Sequence, residues 1–439
     1  MGTIRYKYKG GVHLPEMKGT SDVTIVKMNI PGKVVLPMIQ HTGVPCEPLV
    51  KKGDMVKVGQ VIGDTDKYMS APIHSSVSGI VTEVGPALYP GGGKVVSIGI
   101  ETDGLQTVHE SVTPHEFSGK KEFLDLVRAS GLVGLGGAGF PTHVKLNPPD
   151  GKEINTLVIN GAECEPYITS DCRAMIENSY NILAGIDIVK TELGIEKVYI
   201  GVEDNKPEAI DVLTRIAEKD DDIDVVPLKS LYPQGAEKML IYSCTGRRVP
   251  PGKLPMDVGV VVMNVNGAAL IAEYIKTGMP LVKKTVTVAG SAVREPMNVE
   301  APIGALLKDV FEFCGGLSDE VGKILMGGPM MGIAQHSLEV PVIKNTNALL
   351  AFTREEALLD KETSCIRCGR CVESCPMSLM PLNINSAALK TDIDRLNTYN
   401  VMDCIECGAC MFRCPAKRRI VQSARLGKSI LREAMKATS

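Results

Sequence analysis

From the N-terminus to residue 117, apolar positions come in short Val- and Ile-rich runs, KVVLPMI, EPLVKKGDMVKVGQVIGDT, APIHSSVSGIVTEVG and GKVVSIGIE, each cut by Gly or Pro. Runs of this length and punctuation predict short strands, hence an all-β unit. Between residues 118 and 278 the pattern alternates. Strand-length runs, TLVIN at 156–160, KVYIGVE at 197–203, DIDVVPL at 222–228 and VGVVVMNV at 258–265, are separated by segments of helical character at 120–130, 171–193, 206–219, 235–243 and 267–277. That alternation predicts a parallel sheet with helices on its faces. Residues 279–350, with TVTVAGSAV and APIGALLKDVFEFCGG, predict a small α+β unit closed by the turn GGPMMG at 327–332, whose two methionines read as packing. In residues 351–439 the positions Ile420, Ala424, Gly427, Leu431 and Ala434 recur at three- and four-residue steps, so a helix there has one apolar face. Its other face is basic, with seven Lys or Arg after Pro415 against one acid, Glu433. Such a helix packs on its neighbour or lies on a membrane, and packing is the expectation.

The last unit also holds the most specific motif. Eight of the thirteen cysteines form two identical groups, Cys365, Cys368, Cys371 and Cys375 before Pro376, and Cys404, Cys407, Cys410 and Cys414 before Pro415. Both follow C-x2-C-x2-C-x3-C-P, in which three thiolates hold one [4Fe-4S] cluster and the fourth reaches the other. The expected ligand sets are therefore crossed. One cluster takes Cys365, Cys368, Cys371 and Cys414; the other takes Cys404, Cys407, Cys410 and Cys375. Structural zinc sites instead pair two C-x2-C knuckles across a longer gap, and disulfide frameworks belong to small secreted chains.

Composition narrows the setting. At 439 residues the chain exceeds one ordinary core. Its 44% hydrophobic and 23% charged residues are those of a soluble globular protein. A net charge of −3 gives no global attraction to nucleic acid, and the absence of Trp, with 7 Phe and 11 Tyr, argues against a base-stacking platform. No signal-like N-terminus and no run of 18 apolar residues occurs, so the expectation is a chain neither exported nor membrane-spanning. Free thiols then imply a reducing compartment.

A second stretch carries chemistry. The loop Gly134-Leu135-Gly136-Gly137-Ala138-Gly139 satisfies G-x-G-x-x-G, but KKEFLDLVRASG before it reads as a helix, whereas the dinucleotide fingerprint requires a strand. What remains is that glycines let a ligand approach the backbone, whose N–H groups can cradle phosphate. Lys145 follows at a reach suited to a phosphate or flavin oxygen; a tight helix-to-strand connection is the plain alternative. Further on, the strand TLVIN runs into Asn160, Glu163 and Glu165, at the carboxyl end where α/β sheets bind ligands. Two carboxylates and an amide suit ribose hydroxyls, a nicotinamide carboxamide or a flavin edge, with a capped, solvated loop as the alternative. The stretch from Val50 to Val84 resembles the barrel-sandwich hybrid of lipoyl and biotinyl carriers, with Lys67 imitating the modified lysine. Tyr68-Met69 replaces the usual neighbours and the distance to the strand at 78–81 is too long, so Lys67 reads as a solvated turn lysine and the unit as a scaffold.

Together, G-L-G-G-A-G-F-P-T-H-V-K and N-G-A-E-C-E-P resemble the flavin and NADH-binding subunit of respiratory complex I, and the whole chain resembles the C subunit of the Rnf electron transport complex. Y-P-Q-G-A-E-K at 232–238, R-V-P-P-G-K-L-P at 248–255, V-V-M-N-V at 261–265 and the GGPMMG turn extend the match. The resemblance implies a multidomain α/β chain: a barrel-sandwich hybrid at 1–117, a Rossmann-like α/β flavin/NADH domain at 118–278, a soluble-ligand-binding β-grasp at 279–350 and a two-cluster bacterial-type ferredoxin domain at 351–439. It implies FMN against Gly134, Gly136, Gly137, Ala138, Gly139, Lys145, Asn160, Glu237 and Asn264, with Glu165 on the nicotinamide side and Glu163 near the ring. Leu135 and Ala162 stand where the complex I subunit has an arginine and an aspartate, which implies a less polar flavin site. The implied activity is hydride exchange between NAD(H) and FMN, with single electrons passing through two [4Fe-4S] clusters. The implied setting is a peripheral subunit on the cytoplasmic face of a membrane-bound, ion-translocating ferredoxin:NAD oxidoreductase, with integral membrane subunits and a ferredoxin-oxidising iron–sulfur subunit as partners. Microcompartment cobalamin reductases resemble the same modules but carry the flavin loop near the N-terminus and the barrel late. A wiring subunit that has lost its flavin is the third reading, resting on Leu135 and Ala162 alone.

Overall fold

A computed structural model describes residues 6–149 and 151–438. The all-β unit is two small sheets face to face. One has the order Lys33–Pro37, Lys94–Thr102, Gly79–Leu88, Met55–Val56, and the other the order Glu47–Pro48, Val61–Asp64, Ile73–His74. Val34, Leu36, Ile62, Ile73, Ile98 and Ile100 fill the space between them. The turn bearing Lys67 is exposed, and the Lys67 ammonium pairs with its neighbour Asp66 at 3.4 Å. Its neighbour Tyr68 instead seats the barrel on the next unit, edge-on to His143 at 5.6 Å and accepting a hydrogen bond from Asn147.

The second unit is a parallel four-stranded sheet in the order Ile223–Leu228, Lys197–Glu203, Thr156–Gly161, Val260–Asn264. The strand order reverses between Thr156–Gly161 and Val260–Asn264, where Asn160 stands in register with Asn264. In such sheets a crevice opens outside the strand ends at that switch point. The segment expected as one helix at 171–193 is two, Ser170–Glu177 and Ser179–Leu193, broken at Asn178. The longer one crosses Val265–Thr277 so closely that a Cβ on Gly185 would lie 1.8 Å from the Ala268 carbonyl oxygen. Any other residue there would part the two helices.

The third unit is a six-stranded mixed sheet over the helix Leu307–Phe313. Its edge strand is Ile25–Lys27, parallel to Met297–Pro302. Residues 6–27, counted with the barrel in sequence, therefore form a strap across the other units. The reason is local: Val12 bridges Tyr232, Tyr8 donates to the Leu231 carbonyl, and Gly11 donates to the Ser374 carbonyl. The strand Ala348–Thr353 likewise carries this unit past residue 350.

In the C-terminal unit the helix Ile420–Thr438 buries Ala424 and Leu431 against Ile384, Ala388, Leu396 and Val401, and Ile420 is buried at its start. Burying a Leu or Ile contributes about 1.5–3 kcal/mol, whereas exposed ion pairs contribute about 0–1. The apolar face therefore holds the helix. Two basic residues of the helix are committed internally, Arg425 and Lys428 with Glu406, and just before it Lys417 pairs with Asp360 and Arg418 and Arg419 with Glu362. No helix among the described residues is long and apolar enough to cross a membrane.

Candidate functional site

The glycine loop lies over the switch point. Its carbonyls are pinned from behind by two other units: Gly137 O accepts from Asn345 Nδ2 at 2.9 Å, Ala138 O from Thr42 Oγ1 at 2.7 Å and Gly139 O from Thr42 N–H at 2.9 Å. Gly134 N–H closes the loop on Phe140 O at 2.9 Å. The N–H groups of Gly136, Gly137 and Ala138 meet no acceptor among the described residues, and all three residues are exposed. A loop with held carbonyls and free amides is preset for an anion. Gly139 supplies the turn at φ 69°, where a Cβ would press on Gln40 and His41 at 3.3 Å. A Cβ on Gly136 would lie 3.4 Å from Asn264 Nδ2, which places the loop against the strand end.

Around the cradle, Lys145 and Glu237 form an ion pair of 2.7 Å between the short helix Thr142–Lys145 and the start of Glu237–Thr245. Asn160 donates to Gly235 O at 3.0 Å and accepts from Ala162 N–H at 3.1 Å. Asn264 caps its helix through Asn266 N–H and donates to Asp171, which Asn266 also grips. Asp171 is a site residue that sequence reading missed; its mark is an acid in the first turn of a helix facing the strand end. Leu135 is 3% exposed and packs in the hydrophobic core, whereas its neighbours Gly136, Gly137 and Ala138 are exposed.

The two carboxylates separate. Glu163 is buried, and accepts from Asp171 N–H at 2.8 Å, Cys172 N–H at 3.3 Å and Ser170 Oγ at 3.3 Å. It caps the helix Ser170–Glu177, whose N-terminal amides would otherwise be orphaned. Burial raises its pKa, opposed by the Lys18 charge. Glu165 accepts from the N–H groups of Met330 and Met331, both at 3.0 Å, in the GGPMMG turn. Gly328 makes the room, since a Cβ there would lie 2.3 Å from Glu165 Oε2. Burial pushes Glu165 up to about 7 against the pull of those two amides. The loop between them is held by Lys18 of the strap, whose ammonium donates to the carbonyls of Glu163 at 2.8 Å, Glu165 at 2.8 Å and Ile168 at 2.6 Å. Nothing in the sequence around Lys18 signals this, because its partners lie about 150 residues away.

This loop touches the cysteine unit. Cys164, Met330 and Tyr232 pack with Ile405 and Cys407, and Tyr232 donates to Cys407 O at 2.6 Å. The cysteine groups repeat in backbone as well as in spacing: Arg367 and Glu406 at φ 54° and 57°, Gly369 and Gly408 at 79° and 82°, and Ser378 and Lys417 at 55° and 52°. Cys375 joins Cys404, Cys407 and Cys410 in lining one cavity, with Ile384, Ile405 and Ile420. Burial raises the Cys410 thiol, and nearby Cys407, Cys404 and Cys375 raise it further. Burial raises Cys371 too, with Cys414 adding. Four thiols around an apolar cavity are the donor set of an iron–sulfur cluster.

Comparison with known proteins agrees with this organisation. Residues 6–105 match the RnfC barrel sandwich hybrid domain, 127–273 the Nuo51 FMN-binding domain, 285–334 the SLBB domain and 357–422 the 4Fe-4S dicluster domain. The chain is thus a modular electron-transfer protein that joins an FMN domain to an iron–sulfur dicluster. It is 46% identical over 434 residues to the C subunit of the proton-translocating ferredoxin:NAD(+) oxidoreductase complex of Clostridium ljungdahlii, covering 97% of this chain and 94% of that one. It is 46% identical over 428 residues to the C subunit of the Na(+)-translocating complex of Acetobacterium woodii, covering 96% of each. It is 40% identical to the C subunit of the ion-translocating oxidoreductase complex of Rhodobacter capsulatus, covering 98% of this chain and 84% of that one. The chain belongs to the family of Rnf complex C subunits.

Proposed function

We propose that this chain is the peripheral, NAD-facing subunit of a membrane-bound, ion-translocating ferredoxin:NAD oxidoreductase on the cytoplasmic face, and that it exchanges hydride between NAD(H) and FMN. The observation that carries this reading is the cradle of free amides at Gly136, Gly137 and Ala138, braced from behind by Thr42 and Asn345. FMN, when bound, converts a two-electron hydride donor into single electrons that clusters accept. The loop amides would hold its phosphate, while Lys145, Asn160, Glu237 and Asn264 line the switch point. Glu165, on the nicotinamide side, keeps lone pairs beyond the two used by the turn. Cys365, Cys368, Cys371 and Cys414 would hold one cluster and Cys404, Cys407, Cys410 and Cys375 the other. The Cys164, Tyr232 and Met330 contact with Cys407 puts the second set next to the flavin unit.

Glu165→Gln tests the carboxylate. The amide keeps size and reach, so FMN stays bound, while NADH-driven bleaching of the flavin slows by about ten- to hundredfold if one charge-assisted hydrogen bond is lost. With a folded pKa of about 7, Glu165 carries charge only above that pH. The parent rate should therefore change between roughly pH 6 and 8, and that step should vanish in the variant. The stability sign follows too. A carboxyl raised from 4.5 to about 7 holds its proton when the unfolded chain has released it, so its contribution declines as pH rises through that window. An unchanged rate and pH profile in Glu165→Gln would remove the residue from the reaction.

The peripheral placement predicts that a wash in about 1 M salt, which screens surface charge within about 3 Å, releases the chain from membranes without detergent. Retention until detergent is added would show a lipid-inserted segment.

A further inference from the structure

The two cysteine groups share spacing and backbone, yet the fold treats them oppositely. In the second, Cys407 is buried and Ile405 packs with Val12, Tyr232 and Met330. At the matching positions of the first, Cys368 is exposed and Ile366 is 69% exposed. Met411 and Phe412, which lead into Cys414, are also exposed, Phe412 at 48%. Large apolar side chains therefore sit in water on the segments that carry Cys365, Cys368 and Cys414. Interleaved with them are Arg367, Arg370 and Arg413, exposed and without an ion pair among the described residues; Glu373 is the free carboxylate in the same segments. The contrast with the basic residues after Pro415 is sharp, because Lys417, Arg418, Arg419, Arg425 and Lys428 are all committed to Asp360, Glu362 and Glu406.

We propose that this face is the docking surface for an acidic, cluster-bearing electron-transfer protein, whose carboxylates meet Arg367, Arg370 and Arg413 while its apolar rim packs on Ile366, Met411 and Phe412. The proposal rests on the reading that Cys365, Cys368, Cys371 and Cys414 hold a cluster. The second group is turned toward the flavin unit, so the first is the one open to an outside partner. Unpaired positive charge around an apolar patch steers an acidic partner quickly into a contact that parts again, as electron exchange requires. One electron moves per encounter, lost by the partner's reduced cluster and gained by the cluster of this chain, with no proton or covalent bond exchanged. A lipid surface is disfavoured here, since the apolar residues sit on short cysteine loops and the long helix has its apolar face packed.

The test mixes the full chain, with both clusters assembled anaerobically, with a dithionite-reduced acidic bacterial-type ferredoxin. The second-order rate of electron transfer is followed by absorbance against salt. NADH is omitted, so failure of the flavin site leaves this readout untouched. The parent rate should fall at least about tenfold between roughly 0.02 and 0.5 M salt. Reversing all three charges, R367E with R370E and R413E, should lower the low-salt rate at least about tenfold and flatten the salt curve. R432E, on the outer face of the C-terminal helix, should leave both within about twofold of the parent. Iron and sulfide assays confirm assembly of each variant; if the triple variant fails to assemble, the parent salt curve and F412S decide. A parent rate indifferent to salt, or a triple variant or F412S as fast as the parent, overturns the proposal. So does salt-reversible binding to anionic lipid vesicles that the triple variant loses while its ferredoxin exchange is unchanged.

Discussion

Gly137→Val is expected to fold, to carry its full iron content, and to bind no FMN. The folding half follows from geometry. Gly137 lies outside the left-handed region, and a Cβ there meets nothing within 4 Å, so a side chain costs the protein little. The binding half follows from the state of the loop: its carbonyls are spent on Asn345 and Thr42, which leaves the amides as the binding face. Two γ-methyl groups beside those amides keep a phosphate out of hydrogen-bond range, where each charge-assisted bond contributes about 1.5–3 kcal/mol. With three amides in play the loss is expected to be complete at micromolar FMN. Gly139→Ala is a poorer probe, since at φ 69° it strains the turn itself. The measurement is anaerobic: flavin content, then NADH-dependent bleaching and cluster reduction. If Gly137→Val retains flavin and reduces its clusters as fast as the parent, the loop is a structural turn and the flavin site lies elsewhere.

The second large effect is expected at Cys375. By position it belongs to the first motif, but it lines the cavity of Cys404, Cys407 and Cys410. Cys375→Ala should therefore abolish or remodel the cluster of the second motif and spare the one held by Cys365, Cys368 and Cys371. Iron should fall from eight toward four per chain, as the loss of one four-iron cluster requires. EPR of the reduced variant separates the cases, because the coupled signal of two clusters should collapse to that of one. Loss of the cluster bound by Cys365 in this variant would mean that each motif closes on its own cysteines.

Much of the fold was legible because its signals are local. The four apolar runs at 156–160, 197–203, 222–228 and 258–265 all became strands, and the amphipathic repeat from Ile420 became a helix packed on its apolar side. The glycine loop was legible as a backbone device, since flexibility and close approach are properties of glycine itself. The roles of the two acids were not. Glu163 and Glu165 are two residues apart and chemically equivalent, yet one caps a helix seven residues on and the other binds a turn that begins at Gly327.

The sequence by itself determined the chemistry available to this protein: eight cysteines at cluster spacing, a loop able to present bare amides, and the period of every major element. It could do so because ligand spacing, backbone freedom and hydrophobic periodicity are short-range properties. Only the tertiary structure decided how those parts are used. Thr42 and Asn345, from two different units, turn a flexible loop into a cradle, and Lys18 sets the acidic loop from the strap. Packing against Tyr232 and Met330 directs one cysteine group inward and leaves its twin in water. Each depends on contacts between residues far apart in the chain, whose geometry exists only once the units have packed.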